Sequence, residues 1–118
     1  EHGAPWTSEV CSEAAAEGHL DILKYAFEHN LEWDSKTTSC ASCYNQLECL
    51  KFAVNHGCPV NIYASNAAAS KGNLECLTFL VDNNCPTNQT TVEHACMGGF
   101  RANKCFQYLV SKGFSKKI

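Results

Sequence analysis

Apolar residues recur along this chain in short amphipathic blocks. The stretch "GHLDILKYAFEHN", residues 18–30, places Leu20, Leu23 and Phe27 at i, i+3 and i+7, which is the spacing of one helical face. Nearly the same phrase returns 27 residues later as "NQLECLKFAVNHG" and again after the same interval as "GNLECLTFLVDNN". Because the interval is fixed, the pattern predicts a row of similar stacked units.

The period divides the whole chain into copies. Residues 7–33, 34–60 and 61–87 are three full copies, and residues 1–6 match the end of a copy that began upstream. Residues 88–118 form a fourth, C-terminal capping copy with two extra residues. No interval is left for a second domain, so we expect residues 1–118 to be a single repeat domain at the end of a longer array.

Turn-forming residues mark the same places in every copy. Each copy opens on a residue whose side-chain oxygen can cap a helix: Thr7, Asp34, Asn61 and Asn88. The first helix should end at a residue that tolerates a left-handed backbone: Gly18, Asn45, Gly72 and Gly99. The second helix should end in the same way at Gly3, Asn30, Gly57, Asn84 and Gly113.

Each copy is therefore predicted to be a helix, a tight turn, a second helix and a short loop. The first helix carries small residues that allow close approach, such as Ala14 and Ala15, whereas the second carries large apolar ones. One helix pair cannot bury both of its apolar faces alone, but neighbouring pairs can bury them together. The sequence predicts an all-α solenoid of stacked helix pairs.

These residues resemble the ankyrin repeat. "AAAEGHLDILKYAFEHN" is similar to the helical half of that repeat, with the Ala14-Ala15 pair, Gly18-His19 at the turn, and Leu20 opening the outer helix. Ankyrin repeats run 33 residues, six more than here, and the missing part corresponds to the β-hairpin finger. The resemblance implies an ankyrin-like solenoid with shortened or absent fingers. The loops "GAPW", "NLEW", "GCPV" and "NCPT" look like the "GCPW"-type repeats of protists and giant DNA viruses.

The resemblance implies a non-enzymatic module that binds a protein partner on a concave face lined by the inner, first helices. The positions expected to face solvent there differ from copy to copy: Ser8, Glu9, Ser12, Lys36, Ser39, Tyr63, Asn66, Thr90 and Glu93. Tyr63 is the best single anchor, because aromatic residues dominate interface energies. Trp6 and Trp33, by contrast, should cover the ends of the outer helices.

Two other functions stay open. The chain starts within a copy, without a polar capping unit, so it could be a structural component of a large assembly. It could also be the substrate-recognition arm of a ubiquitin-ligase or host-interaction protein, but no F-box segment is present in these residues. An intracellular, cytoplasmic location is expected, or the host cytoplasm or nucleus if the source is viral.

Nine cysteines raise the question of a metal site. Cys40 and Cys43 form a CxxC, a spacing that zinc sites use, but no second CxxC or HxxxH completes a ligand set. Five cysteines instead recur at two equivalent positions of the copies: Cys49, Cys76 and Cys105, then Cys58 and Cys85. The periodicity favours cysteine as a small buried hydrophobe in a reducing compartment. We expect no metal and no cofactor, with zinc at Cys40 and Cys43 as the minor alternative.

Charge and the remaining residues narrow the functions further. The net charge of -3 disfavours non-specific nucleic-acid binding, and no apolar run approaches the length of a membrane span. No nucleophile has a fixed basic partner, so neither an enzyme nor a small-molecule substrate is expected. His19 has a structural role by resemblance, while His29 and His56 should bond carbonyls at helix ends.

The distribution of charge along the chain is uneven. Residues 1–34 hold eight acids and one lysine, whereas residues 101–118 hold five bases and no acid. Ordinary solvated faces are the simpler explanation. The alternative is a basic C-terminal end that meets an acidic partner.

Overall fold

The computed structural model describes residues 7–97 and 103–114. This part of the chain forms eight α-helices and contains no β-strand. They are α1 (Ser8–Glu17), α2 (Leu20–Glu28), α3 (Ser35–Cys43), α4 (Leu47–Asn55), α5 (Ile62–Lys71), α6 (Leu74–Asp82), α7 (Gln89–Met97) and α8 (Asn103–Ser111). The predicted all-α class is confirmed. The predictions for Gly3, Trp6 and Gly99 lie outside the described residues.

The helices form two layers. Helices α1, α3, α5 and α7 pack side by side in an inner layer, and α2, α4, α6 and α8 form an outer layer. Within each copy, the inner helix also packs on the outer helix that follows it. The molecule is accordingly elongated, with extents of 52 × 23 × 20 Å. This arrangement is the predicted stack of helix-turn-helix units, in which each unit contacts mainly its neighbours.

The core combines small inner side chains with large outer ones. The buried alanines of the inner layer are Ala14, Ala15, Ala41, Ala64, Ala68, Ala69 and Ala95. The outer helices contribute the largest fully buried side chains, which are Leu23, Leu50, Leu77, Leu80 and Leu109. Burying one leucine contributes about 1.5 to 3 kcal/mol. The outer layer therefore supplies most of the apolar area, while the inner layer sets how closely the copies approach.

Helix starts depend on local capping. The side chains of Asp34, Asn61 and Asn88 accept hydrogen bonds from the backbone N–H two residues on, at 3.0, 3.0 and 2.8 Å. These three bonds confirm the predicted caps. Thr7 was predicted to cap α1 in the same way, and this is wrong for its side chain. Its backbone is extended as a cap requires, but its side chain makes no capping bond.

The predicted helix ends are left-handed in the structure. Positive φ angles occur at Gly18, Asn30, Asn45, Gly57, Gly72, Asn84 and Gly113. At Gly18, for example, φ is 81° and the next backbone N–H bonds the carbonyl of Ala14 at 2.8 Å. Such bonds satisfy carbonyl groups that the end of a helix leaves without partners.

One side chain in each of the first three copies ties the closing loop to the inner helix. Cys11 Sγ donates to the carbonyl of Glu32 at 3.4 Å, and Thr38 Oγ1 donates to that of Pro59 at 3.0 Å. Ser65 Oγ donates to Pro86 at 2.7 Å. The three donors are equivalent by the 27-residue period, so a small donor at this position fixes the loop. Val92 holds the equivalent position in the fourth copy and has no donor to offer.

A second side chain joins one copy to the next. Gln46 Nε2 donates to the carbonyl of Ala16 at 3.1 Å, and Asn73 Nδ2 donates to that of Ser42 at 2.7 Å. Each bond satisfies a carbonyl at the end of the preceding inner helix. His19 is at the equivalent position of the first copy. Its Nε2 lies 3.2 Å from Glu17 Oε1 on the surface, so its hydrogen bond is local and exposed.

The prediction for His29 and His56 is confirmed. Their Nδ1 atoms lie 3.0 and 2.8 Å from the carbonyl oxygens of Tyr25 and Phe52, and a carbonyl can only accept, so Nδ1 carries the proton. Each imidazole also stacks on the aromatic ring of that same residue. Trp33 packs beside Phe52 at the ends of these outer helices, as expected.

Gly57→Val is expected to lower the free energy of unfolding by about 1 to 2 kcal/mol. The backbone at Gly57 has φ of +85°, and an added Cβ would meet no atom within 4 Å, so the loss comes from backbone strain alone. Gly57→Asn is the matched control and should cost less, because Asn30 and Asn84 adopt this conformation at equivalent positions. Chemical denaturation measures both variants. Equal stability of the valine variant and the parent chain would contradict this account of the helix end.

Ser42→Ala is expected to raise the free energy of unfolding by about 1 kcal/mol. The Ser42 hydroxyl is fully buried and has no hydrogen-bond partner among the described residues, while alanine holds the equivalent positions 15 and 69. The control is Ser65→Ala, which removes the bond to Pro86 and should lower stability by a similar amount. The two serine-to-alanine changes are therefore expected to shift the free energy of unfolding in opposite directions. Thermal or chemical unfolding measures both shifts.

Candidate functional site

The inner layer presents one exposed face to solvent. In α1 this face is formed by Glu9, Glu13 and Glu17, which are one turn apart. Equivalent residues of the next copies form three rows across the layer. The first row is Glu9, Lys36, Tyr63 and Thr90; the second is Glu13, Cys40, Ala67 and His94; the third is Glu17, Tyr44 and Lys71. The opposite side of each inner helix carries the small buried residues.

A groove runs over the middle of this face. It has a volume of about 430 Å³ and crosses α3, α5 and α7. Its lining residues are Ser39, Cys40, Cys43, Tyr44, Tyr63, Asn66, Ala67, Ser70 and His94. Tyr44 and Tyr63 are 60% and 67% exposed, so both remain free to contact a partner.

The structure separates the nine predicted positions into groups. Ser39, Tyr63 and Asn66 line the groove. Glu9, Lys36, Thr90 and Glu93 are exposed on the inner layer outside it, and Ser8 is half-buried. The groove thus contains part of the predicted set, with Tyr63 at its edge. Whether these residues contact a partner stays a prediction.

The expectation that Ser12 and Asn66 face solvent is wrong. Each is only 7% exposed. The Ser12 hydroxyl donates to the carbonyl of Glu9 at 3.1 Å, and Asn66 Oδ1 accepts from the Thr91 hydroxyl of the next copy at 2.7 Å. The Ser12 side chain is therefore covered within its own helix, and that of Asn66 is held against the following copy, with only a small part reaching the groove.

Sequence reasoning missed several residues that line the groove. They are Cys40, Cys43, Tyr44, Ala67, Ser70 and His94. The pair of small residues in each inner helix, such as Ala14 and Ala15, could have indicated these groove residues. Because Ala14 and Ala15 are buried, residues 13, 16 and 17 lie on the other side of the helix, and so do their equivalents in each copy.

The cysteines fall into two classes. Six are buried, including all five at the two periodic positions, which confirms that cysteine occupies hydrophobic sites there. Burial raises the pKa of Cys58 and of Cys76 to about 12, and that of Cys105 to about 11. Cys40, Cys43 and Cys96 are half-buried. Burial and then the neighbouring Cys43 thiol raise the pKa of Cys40, although Lys36 acts in the opposite direction.

The described residues contain no group of three histidine, cysteine, aspartate or glutamate side chains placed to hold a metal ion. Cys40 and Cys43 lie together on the groove, with His94 across it. The Nδ1 atom of His94 lies 2.8 Å from the carbonyl of Thr90 and is engaged by it. In the part of the chain that the structure describes, no helix has the length and apolar character needed to cross a membrane.

A second groove of about 440 Å³ lies on the outer layer, between α4 and α6. Leu47, Leu74 and Phe79 give it an apolar floor, and Lys51, Glu75 and Asp82 lie at its sides. Unlike the inner groove, it has charged residues of both signs along it.

Comparison with known protein families identifies the family of this chain. The family model for ankyrin repeats (3 copies) matches residues 39–118, which is more than half of the sequence. The chain belongs to the ankyrin repeat family. The copy at residues 7–33 precedes the match and has the same pair of helices, α1 and α2. No curated protein matches the chain.

Proteins of this family share two general properties. Ankyrin repeats are generally protein–protein interaction modules, and the family is typically non-enzymatic. The inner face is therefore considered below as a surface for a protein partner.

Thiol labelling of the native protein should separate the two classes of cysteine. Cys40, Cys43 and Cys96 are expected to react first with a small alkylating reagent at pH 8, because their side chains are partly accessible. The six buried thiols should react only after unfolding, because the fold covers them. At Cys58, Cys76 and Cys105 the raised pKa also suppresses formation of the reactive thiolate. Intact-mass spectrometry counts the labels. More than three rapid labels on folded protein would contradict the burial described.

Proposed function

We propose that this chain is a non-enzymatic protein-recognition module that binds a segment of a protein partner in the inner groove. The observation that carries the proposal is the pair of exposed tyrosines, Tyr44 and Tyr63, on either side of a floor of small side chains. Tyrosine supplies a large apolar area with few rotatable bonds and a hydroxyl at its tip, which suits it to recognition surfaces.

The groove is built on rigid supports, which favours binding. The backbone of Tyr63 is fixed by the cap bond from its N–H to Asn61 Oδ1, at 3.0 Å. The floor residue Asn66 is held by its bond to Thr91. A surface that is already ordered loses little conformational entropy when a ligand binds, so more of the contact energy appears as affinity.

The chemistry of the groove favours binding over catalysis. The reactive form of a cysteine is the thiolate, and the pKa of Cys40 is raised, so its thiol stays protonated near neutral pH. Among the described residues no hydrogen bond joins the Cys40 thiol to a base, and one nitrogen of His94 is already engaged by a carbonyl. Hydrophobic contact and hydrogen bonding are what these groups can offer a ligand.

A structural role within a larger assembly is the second candidate, and the outer groove supports it. Phe79 lies in that groove, and the exposed rings of Tyr25 and Phe27 lie on the neighbouring outer helix α2. A partner seated on these residues would use the opposite layer of the molecule. Contacts on the outer layer and contacts on the inner groove are therefore separable by mutation.

We further infer a short-repeat type for this chain, supported by inner helices that begin at residues 8, 35, 62 and 89, always 27 apart. A source among protists or giant viruses is inferred from the loop sequences alone. An intracellular, cytoplasmic location is inferred from the buried, periodic placement of the cysteines, which suits a reducing compartment.

The proposal is tested with a double variant in the groove. Twelve-residue peptides selected from a display library on the intact chain serve as probes, and their affinity is measured by calorimetry. Tyr44→Ala with Tyr63→Ala is expected to weaken binding at least tenfold, because two aromatic anchors are removed. The matched control is Tyr25→Ala, an exposed tyrosine on the outer layer, which should bind as the parent does.

Circular dichroism establishes that both variants keep their helicity. Equal affinity of the double variant and the parent contradicts the proposal. Loss of binding only in the Tyr25 variant favours the outer layer and the structural role.

A further inference from the structure

The inner face is electrically uneven. Its first helix, α1, carries three exposed acids, Glu9, Glu13 and Glu17, whereas α3 and α5 contain no acidic residue. The groove therefore has a neutral, aromatic centre with an acidic border on the α1 side. Sequence position alone does not show this border, because the other acids of the first copy lie elsewhere.

The lysines of this face lie near only part of the acidic border. Lys36 holds the position next to Glu9 in the first row. A positive charge on α3 therefore neighbours the negative charge of Glu9 on α1. Lys71 lies in the third row on α5, beyond Tyr44 from Glu17. The neighbours of Glu13 and Glu17 on α3 are Cys40 and Tyr44, which carry no positive charge. Glu17 does contact the His19 ring, at 3.2 Å on the surface.

We propose that the groove recognises a basic peptide segment, in which an apolar side chain seats between Tyr44 and Tyr63 while lysine or arginine faces Glu13 and Glu17. This inference rests on the proposed function, since it names the partner of the same groove. Electrostatic complementarity of this kind directs which partners bind and how fast they associate.

The spacing of the segment follows from the helix packing. Neighbouring packed helices lie about 8 to 10 Å apart, so α1 is about 12 to 15 Å from the centre of the groove between α3 and α5. An extended peptide advances about 3.3 Å per residue. The basic side chains should therefore stand about three to five residues from the apolar anchor.

Peptide selection with charge-reversed protein tests the inference. Twelve-residue peptides selected on the intact chain are expected to be enriched in lysine or arginine at three to five residues from an aromatic or aliphatic residue. Glu13→Lys with Glu17→Lys should weaken the binding of those peptides at least tenfold at 50 mM NaCl. The difference should shrink at 500 mM NaCl, because the charges involved are exposed and screened.

The matched control is Glu28→Lys with Glu48→Lys, which makes the same change in net charge on exposed residues of the outer helices. Parent-like binding by this control supports the inference, while an equal loss in both double variants overturns it by pointing to net charge. Peptides that lack basic enrichment, yet depend on Tyr44 and Tyr63, overturn this inference and leave the proposed function standing. Peptides that depend on neither set of residues overturn both.

Discussion

Close contact between the small residues of neighbouring inner helices is the interaction on which the rest of the structure depends. Ala14, Ala15, Ala41, Ala68 and Ala69 are all buried in this layer. Small side chains let the helix backbones approach, and the outer leucines can then fill the space behind them without leaving voids. Because each copy touches mainly its neighbours, this one contact, repeated along the chain, determines the length and direction of the stack.

The groove follows from the same constraint. Side chains on the buried side of α3 and α5 must be small, but the outward side has no such limit, and there the copies differ. Cys40 and Ala67 keep the floor low, while Tyr44 and Tyr63 rise at either side. A cavity on this face thus needs no break in the packing, since it arises where small and large residues alternate on a regular surface.

Local chemistry explains which features could be predicted from the sequence. Helix starts at Asp34 and Asn61 and left-handed ends such as Asn45 depend on residues within one turn, so residue type was enough. The burial of Ser12 and Asn66 depends instead on how far each helix is rotated towards the next copy. Neighbouring helical residues differ by about 100° in direction, so a shift of one residue separates buried Ser12 from exposed Glu13.

Two kinds of variation between the copies have different physical meanings. Cys11, Thr38 and Ser65 differ in type, yet each donates to the carbonyl of its own closing loop, so the requirement there is a small hydrogen-bond donor. Glu13, Cys40, Ala67 and His94 also hold equivalent positions but share no chemistry and no common partner. The fold therefore accepts a carboxylate, a thiol, a methyl group or an imidazole at this outward position. For that reason charge and aromatic character vary along the outward face, from the acids of α1 to the tyrosines of the groove, on one regular scaffold.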